Sequence, residues 1–320
     1  MSYSEGQRPQ TDKEWKLLEK VVMSVQEENR KQRRWMSFFR LLTFAYLFFL
    51  LFLFMPQRLG LQTSTTGEHV AVVEVLGIIS ADSEASADLL ITGLRRAFEA
   101  DSAKAVVLRI NSPGGSPVQS AYVYNEIRRL RELHPEKPLY AVITDTGASG
   151  AYYIAAAADE IYANESSLVG SIGVIMGSFG FVDAIDKLGI ERRVMTAGNN
   201  KALLDPFKPV DPQEQKHVQQ MLDEVHEQFI VAVKEGRGER LKYQEYPEVF
   251  SGLFWSGVQA KELGIIDGFA STGQLARDVV GVEEIVDYTP RRDPFSELFG
   301  RFGVKVGEVI GNSLGGMTLR

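Results

Sequence analysis

The sequence predicts an α/β fold: a parallel sheet with crossover helices, preceded by one transmembrane helix. Three observations carry that reading. Apolar runs rich in β-branched residues at 69–80, 105–110 and 139–143 have the composition of buried strands. Segments with helical spacing separate them, and this alternation builds parallel sheets with crossover helices. The stretch Leu41 to Met55 is fifteen residues without a charge.

The totals bound the rest. At 320 residues the chain can hold one sizeable domain with extras, or two modest domains. Its 44% hydrophobic and 24% charged residues mark it as globular, and its net charge of −7 argues against a nucleic-acid partner. There is no Cys, which removes a thiol nucleophile, disulfides and cysteine-type zinc sites together. His69, His134, His217 and His226 form no metal-like cluster, so no metal is expected.

Taken in order, residues 1–34 form an N-terminal segment. Its apolar positions Trp15, Leu18, Val22 and Val25 are spaced as on a helix, fitting a partner-binding coiled segment or a marginal cytosolic helix. Residues 35–56 read as a transmembrane anchor: 21 residues from Trp35 to Met55, closed by Pro56, span roughly 30 Å, with Arg40 snorkelling to the headgroups. No small-residue cleavage site follows, so the anchor is expected to stay. Lys16, Lys20, Arg30, Lys31, Arg33 and Arg34 precede the anchor and only Arg58 follows closely, which orients the N-terminus to the cytoplasm and the rest outward. Residues 57–68, rich in Thr, Ser and Gly, read as a tether.

Residues 69–290 form the large domain. After the first strand, Leu90, Leu94, Ala97 and Phe98 mark a helix, and the strand Ala105 to Ile110 runs into Asn111-Ser-Pro-Gly-Gly115. Two glycines after a proline allow a turn whose N–H groups converge on one point. A helix over 117–133 leads to the strand Leu139 to Ile143, which is expected to break at Thr144-Asp145-Thr146-Gly147. An Ala-rich helix is expected over 151–158. Short strands are expected at 160–163 and 171–175, a helix at 181–188 and an extended piece at 193–196. A loop at 198–201 and a long amphipathic helix over 211–235 follow, then a short helix ending at Gly264. Residues 291–320 read as a weakly structured tail with a possible amphipathic piece.

Ser149 stands between the third strand and its helix, where open α/β sheets place chemistry and where unpaired helix N–H groups favour negative charge. It would also serve as an ordinary N-cap. The surrounding Gly-Ala-Ser-Gly-Ala departs from the G-x-S-x-G elbow at Ala151. His226 falls in mid-helix rather than on a loop beside a site, so a Ser–His pair is not favoured. A Lys base must lose its proton near neutrality, which calls for apolar surroundings. Lys201, flanked by Gly198, Asn199, Asn200, Ala202 and Leu203, fits best, while Lys187 and Lys208 read as surface residues.

Four ordered motifs, NSPGG, TDTGASGAYYIAAAAD, VGSIGV and AGNNKALLDPF, resemble those of the bacterial signal peptide peptidase A (protease IV) family, in its short form. The likeness covers about residues 69–270. It implies the Clp protease/crotonase-like fold and a Ser–Lys dyad peptidase with Ser149 as nucleophile and Lys201 as general base. Ser171 would hydrogen-bond the Lys amine, and the amides of Gly115 (or Gly114) and Gly150 would form the oxyanion hole. No cofactor is implied. The implied substrates are remnant signal peptides and other membrane-proximal peptides. The implied partners are the lipid bilayer, through residues 35–56, and further copies of the chain in a ring or dome, perhaps an octamer. The implied location is the bacterial cytoplasmic membrane, with the catalytic domain on the outer, periplasmic side. Two alternatives share the fold: a crotonase-like acyl-CoA enzyme using the NSPGG turn, and a non-catalytic membrane scaffold.

Overall fold

The computed structural model describes residues 12–54 and 67–291. The chain divides into two compact units, 1–65 and 66–320. In the first, α1 (Asp12–Phe54) is one unbroken helix of 43 residues, about 64 Å long at 1.5 Å per residue. The predicted N-terminal helix and anchor are therefore continuous. Trp35, Phe38, Leu41, Leu42, Phe44 and Phe48 are all exposed. Among the described residues no helix is long and apolar enough to cross a membrane. The end of the expected span, the tether up to Thr66 and the expected C-terminal tail from 292 lie outside the described residues or side chains.

In the second unit, β1 (His69–Leu76), β2 (Ala103–Ser112) and β3 (Leu139–Ala148) are adjacent and parallel. The crossover helices α2 (Ala87–Glu99) and α3 (Pro117–Leu133) join them. Val73, Val75, Leu108, Ile110, Ala141 and Ile143 bury one face of these strands against Leu90, Leu94, Val123 and Ile127 of the helices. The period-2 alternation of the strands thus meets the 3.6-residue stripe of the helices in one core. Pro117 opens α3 behind the N-cap Ser116, whose hydroxyl accepts from the Gln119 N–H, a favourable use of Pro where no N–H is needed.

The principal difference from expectation lies in β3, which does not stop at Thr144. Its first half, Tyr140–Ile143, pairs with β4 (Glu160–Ala163), and its second half, Thr146–Ala148, pairs with β5 (Leu168–Gly170). The polar Thr-Asp-Thr-Gly run reads locally as a breaker, but a fresh ladder partner satisfies its backbone. The strand expected over 171–175 is displaced to β5, because Ser171 takes a φ of 52° that ends the pairing. The helix after Ser149 is shorter than expected: α4 runs over Gly150–Ala155. The piece 193–196 joins no strand and is exposed throughout.

After α5 (Val182–Lys187), α6 (Pro212–Arg237) packs Phe229, Ala232 and Val233 into the core. Its C-terminal Arg237 is fully buried, ion-paired to Asp267 at 2.7 Å and donating to the Gly264 carbonyl. Tyr152 of α4 donates to the Ile265 carbonyl at 2.7 Å in the same network. Strand β6 (Phe254–Ser256) closes the sheet antiparallel to β5, followed by α7 (Gly257–Glu262) and β7 (Gly268–Phe269), which pairs with β4. Helix α8 (Thr272–Leu275) leads through a π-helical turn (Ala276–Val280) to β8 (Ile285–Asp287), parallel to β1.

Candidate active site

Ser149 does not cap α4. Its φ is 54° and ψ −126°, and its side chain makes no capping hydrogen bond. A non-glycine residue in that region is strained by about 1–3 kcal/mol and persists only where its surroundings hold it. Here the Ser149 N–H donates to the Gly170 carbonyl at 2.8 Å, and its own carbonyl accepts from the Tyr153 N–H at 3.0 Å. The sharp strand-to-helix turn presents the hydroxyl instead of folding it back onto the helix, which is the mechanical role of a nucleophile elbow. Ala151, the departure from the elbow pattern, is fully buried in α4.

The NSPGG turn lies against this residue. Gly114 and Gly115 have φ of 95° and 153°. A Cβ on Gly114 would sit 2.6 Å from the Gly150 nitrogen and 2.8 Å from Ser149 Cβ, so only glycine allows the approach. The turn is locked by the Ile79 N–H donating to the Gly114 carbonyl and the Ser116 N–H donating to the Ile79 carbonyl. Among the described residues the amides of Gly115 and Gly150 have no acceptor, whereas those of Gly114, Ser116 and Ser149 do. Two such donors beside one hydroxyl are what a developing oxyanion requires.

A cavity of about 350 Å³ opens beside Ser149, Gly115 and Gly150. Its lining is largely apolar and aromatic, including Val118, Tyr122, Tyr153 and Phe229, with Asn125 and Gln228 as polar members. Tyr153 stacks on Phe229 with ring centroids 4.9 Å apart, and burial pushes its phenol pKa up. None of these lining residues is a site candidate from the sequence alone. The spacing of Tyr153, one turn beyond Ser149, was the available signal, whereas residues from α3 and α6 arrive only through tertiary packing.

The other expected site residues divide. Ser171 follows Gly170 as Ser149 follows Ala148, and Ala148 and Gly170 are ladder partners, so the two serines leave neighbouring strands at one level. Both have positive φ, and the Ser171 N–H is tied to the Leu253 carbonyl at 2.7 Å. Lys201 is elsewhere: it is exposed, it does not line the cavity, and its amine has no hydrogen bond or ion pair among the described residues. The stretch before it, 176–200, is exposed almost throughout, with Phe179 and Met195 facing outward. His226 donates to or accepts from nothing in the cavity; its Nε2 lies 3.1 Å from the Ile172 carbonyl. The indole Nε1 of Trp255, packed against Gly170, is buried with no partner among the described residues.

Comparison with known proteins gives consistent results. The family model described as peptidase family S49 matches residues 131–280, a range holding Ser149, Ser171 and Lys201 but not the Gly114–Gly115 turn. A Methanocaldococcus jannaschii protein provisionally named a protease is 33% identical over 225 residues, covering 68% of this chain and 70% of that one. An Enterococcus faecium protein provisionally named signal peptide peptidase SppA is 28% identical over 215 residues, 65% of this chain and 61% of that one. A Brucella abortus protein named Na(+)/H(+) antiporter NhaA is 46% identical over 188 residues, 59% of this chain. This chain spans only 25% of that protein, so its transport name is not carried over.

Proposed function

The chain belongs to peptidase family S49 and is a serine peptidase, and we propose that it cleaves remnant signal peptides and other membrane-proximal peptides with Ser149 as nucleophile. The observation that carries this reading is the strained, uncapped Ser149 beside two amides without acceptors. Its hydroxyl oxygen attacks the peptide carbonyl while Lys201 takes the hydroxyl proton. The tetrahedral oxyanion accepts from the amides of Gly115 and Gly150, with Gly114 holding the turn close. The carbon–nitrogen bond breaks as Lys201 returns the proton to the leaving amine. Water then attacks the acyl-enzyme, Lys201 takes its proton, and Ser149 is regenerated. Ser171 orients the Lys201 amine without adding charge.

Lys201 must reach the cavity for this chemistry. The chain before it exposes the apolar side chains of Ile175, Phe179, Leu188 and Met195, the kind of surface that association covers. Association of copies of the chain would cover that surface and carry Lys201 to a Ser149 cavity, so the dyad closes on assembly. The anchor reading is supported by the apolar residues exposed around the second half of α1 and by the six basic residues before it. It puts the catalytic domain on the periplasmic side of the cytoplasmic membrane, the membrane in which remnant signal peptides are left. The cavity, with its largely apolar lining, suits apolar side chains of such peptides.

The test is peptide cleavage by the full chain with Ser149→Ala, Lys201→Ala and Lys201→Arg. All three should lose activity, since Arg does not release its proton near neutrality. Wild-type rates for Lys201→Arg would remove Lys201 as base, and wild-type rates for Ser149→Ala would remove the whole mechanism.

A further inference from the structure

The Ser149 cavity is a slot between two helices. Its α3 wall carries Val118, Ala121, Tyr122 and Asn125 on successive turns, and its α6 wall carries Val225, Gln228 and Phe229. Further along both helices, Tyr124 Oη donates to the Ala232 carbonyl at 3.0 Å and Arg128 pairs with Glu235 at 3.5 Å. Tyr153 of α4 lies edge-on to Tyr124 and stacks on Phe229, with ring centroids 5.3 and 4.9 Å apart. Aromatic contact thus fixes three helices around the slot before any substrate enters.

The lining holds no Asp, Glu, Lys, Arg or His. A charged side chain entering it would give up water with no opposite charge in return. Apart from Ser149 and the phenols of Tyr122 and Tyr153, its only polar side chains are the amides of Asn125 and Gln228. Neither amide has a hydrogen-bond partner among the described residues. Asn125 follows Pro117, the lining residue that opens α3 next to Gly115, by eight positions, about 12 Å along the helix axis. Helix side chains lean back toward the N-terminus, which brings its amide over the preceding turn. The slot therefore has reacting groups at one end, an apolar middle, and two unpartnered amides on facing helices at the other.

We propose that Asn125 and Gln228 determine specificity, selecting on the acyl side of the scissile bond a neutral side chain with an apolar body and a hydrogen-bonding tip, tyrosine before phenylalanine. This selectivity rests on Ser149 acting as the nucleophile and defines the substrate class of that same site. The carbonyl under attack lies between Ser149 and the amides of Gly115 and Gly150, so the side chain on its own Cα is the one beside the slot. Val118, Val225 and Phe229 take the ring. A phenol donates one hydrogen bond and accepts another, and a carboxamide offers both an acceptor oxygen and a donor nitrogen, so the facing pair serves both. The two residues are exposed to water when the slot is empty. The exchange therefore favours the phenol by about three- to tenfold, not by the large factors of sealed sites.

The test uses the full chain and peptides of one apolar sequence with tyrosine, phenylalanine or glutamate before the scissile bond, the cut sites being mapped by mass spectrometry. The parent should give the tyrosine peptide a kcat/KM about three to ten times that of the phenylalanine peptide, and should cut the glutamate peptide slowest. Asn125→Leu with Gln228→Met removes both amides at exposed helix positions, where the new residues are good helix formers. The tyrosine-to-phenylalanine ratio should then fall to one or below. Both rates come from one preparation, so a general loss of activity cancels from the ratio. A ratio of one in the parent, an unchanged ratio in the double variant, fastest cleavage of the glutamate peptide, or a tyrosine preference confined to the leaving-group side would overturn the proposal. If Ser149→Ala is inactive alongside any of these results, the specificity assignment alone has failed. Wild-type cleavage by Ser149→Ala would instead remove the nucleophile, and the role of the slot with it.

Discussion

Gly150→Ala tests the oxyanion geometry most directly. Gly150 needs no positive φ, so alanine brings no backbone strain of its own. Its Cβ would instead lie 2.5 Å from the hydroxyl oxygen of Ser120 and 3.3 Å from the Gly115 nitrogen. Ser120 is fully buried and donates to the Ser116 carbonyl at 3.0 Å, so it has little room to retreat. The start of α4 must move away from the NSPGG turn, taking the Gly150 amide with it. Overpacking of this kind costs about 1–3 kcal/mol of stability, and loss of one oxyanion donor lowers kcat by about 100- to 1000-fold. Peptide cleavage should therefore fall about a hundredfold at a modest cost in unfolding free energy, both measurable on one preparation. Adding Ser120→Ala deletes the colliding oxygen at a cost of about 1 kcal/mol for its hydrogen bond. The double variant should recover most of the lost kcat. A Gly150→Ala enzyme within twofold of the parent, or a double variant no better than the single, would refute the assignment of this amide.

Three further outcomes follow from the same structure. Gly115→Ala should abolish cleavage and impair folding, because its Cβ would collide with the Ile79 carbonyl at a φ of 153°; circular dichroism and cleavage rates check both. Arg237→Met leaves Asp267 without its main partner. Burial raises the Asp267 carboxyl pKa, but hydrogen bonding and charge from Arg237 lower it further, so the net shift is downward. Removing one member of such a pair costs about 3–5 kcal/mol, so denaturant unfolding should show a large loss, and Asp267→Asn in the same background should return part of it. Glu126 is held down to about 2, first by its hydrogen bond to Arg129, against its burial and with help from Arg95. Its folded-state pKa lies below the ordinary 4.5, so its contribution is complete above about pH 4.5 and is lost as pH falls toward 2. Glu126→Gln should then cost about 1–2 kcal/mol at pH 7, the lower range because both arginines are half-exposed. The two stability curves should converge near pH 2.

The residues legible in the sequence were those whose role is set by local chemistry. Strands β1 to β3 and helices α2, α3 and α6 were readable because their apolar periods match the buried faces, and Pro117 and Asp211 marked helix starts by their own geometry. The NSPGG turn announced itself through residue types that few other conformations need. The continuation of β3 through Thr144–Ala148 was not readable, because its stability comes from β5, twenty residues further on. Nor was the cavity wall, which α6 brings to Ser149 from some eighty residues downstream.

By itself the sequence determined the alternation that makes the sheet parallel, the absence of Cys, the Gly-rich turn and the position of Ser149 at a strand end. It left Ser149 between two roles, since a serine before a helix caps it as readily as it attacks a carbonyl. The tertiary structure removes the cap: the ladder from Ala148 to Gly170 and the turn at Gly114 hold Ser149 at a positive φ, and its side chain makes no capping hydrogen bond. It also separated Ser171 from Lys201, one carried beside Ser149 by strand register and the other left on an exposed segment. Register is a property of paired strands, and no local pattern of residues encodes it.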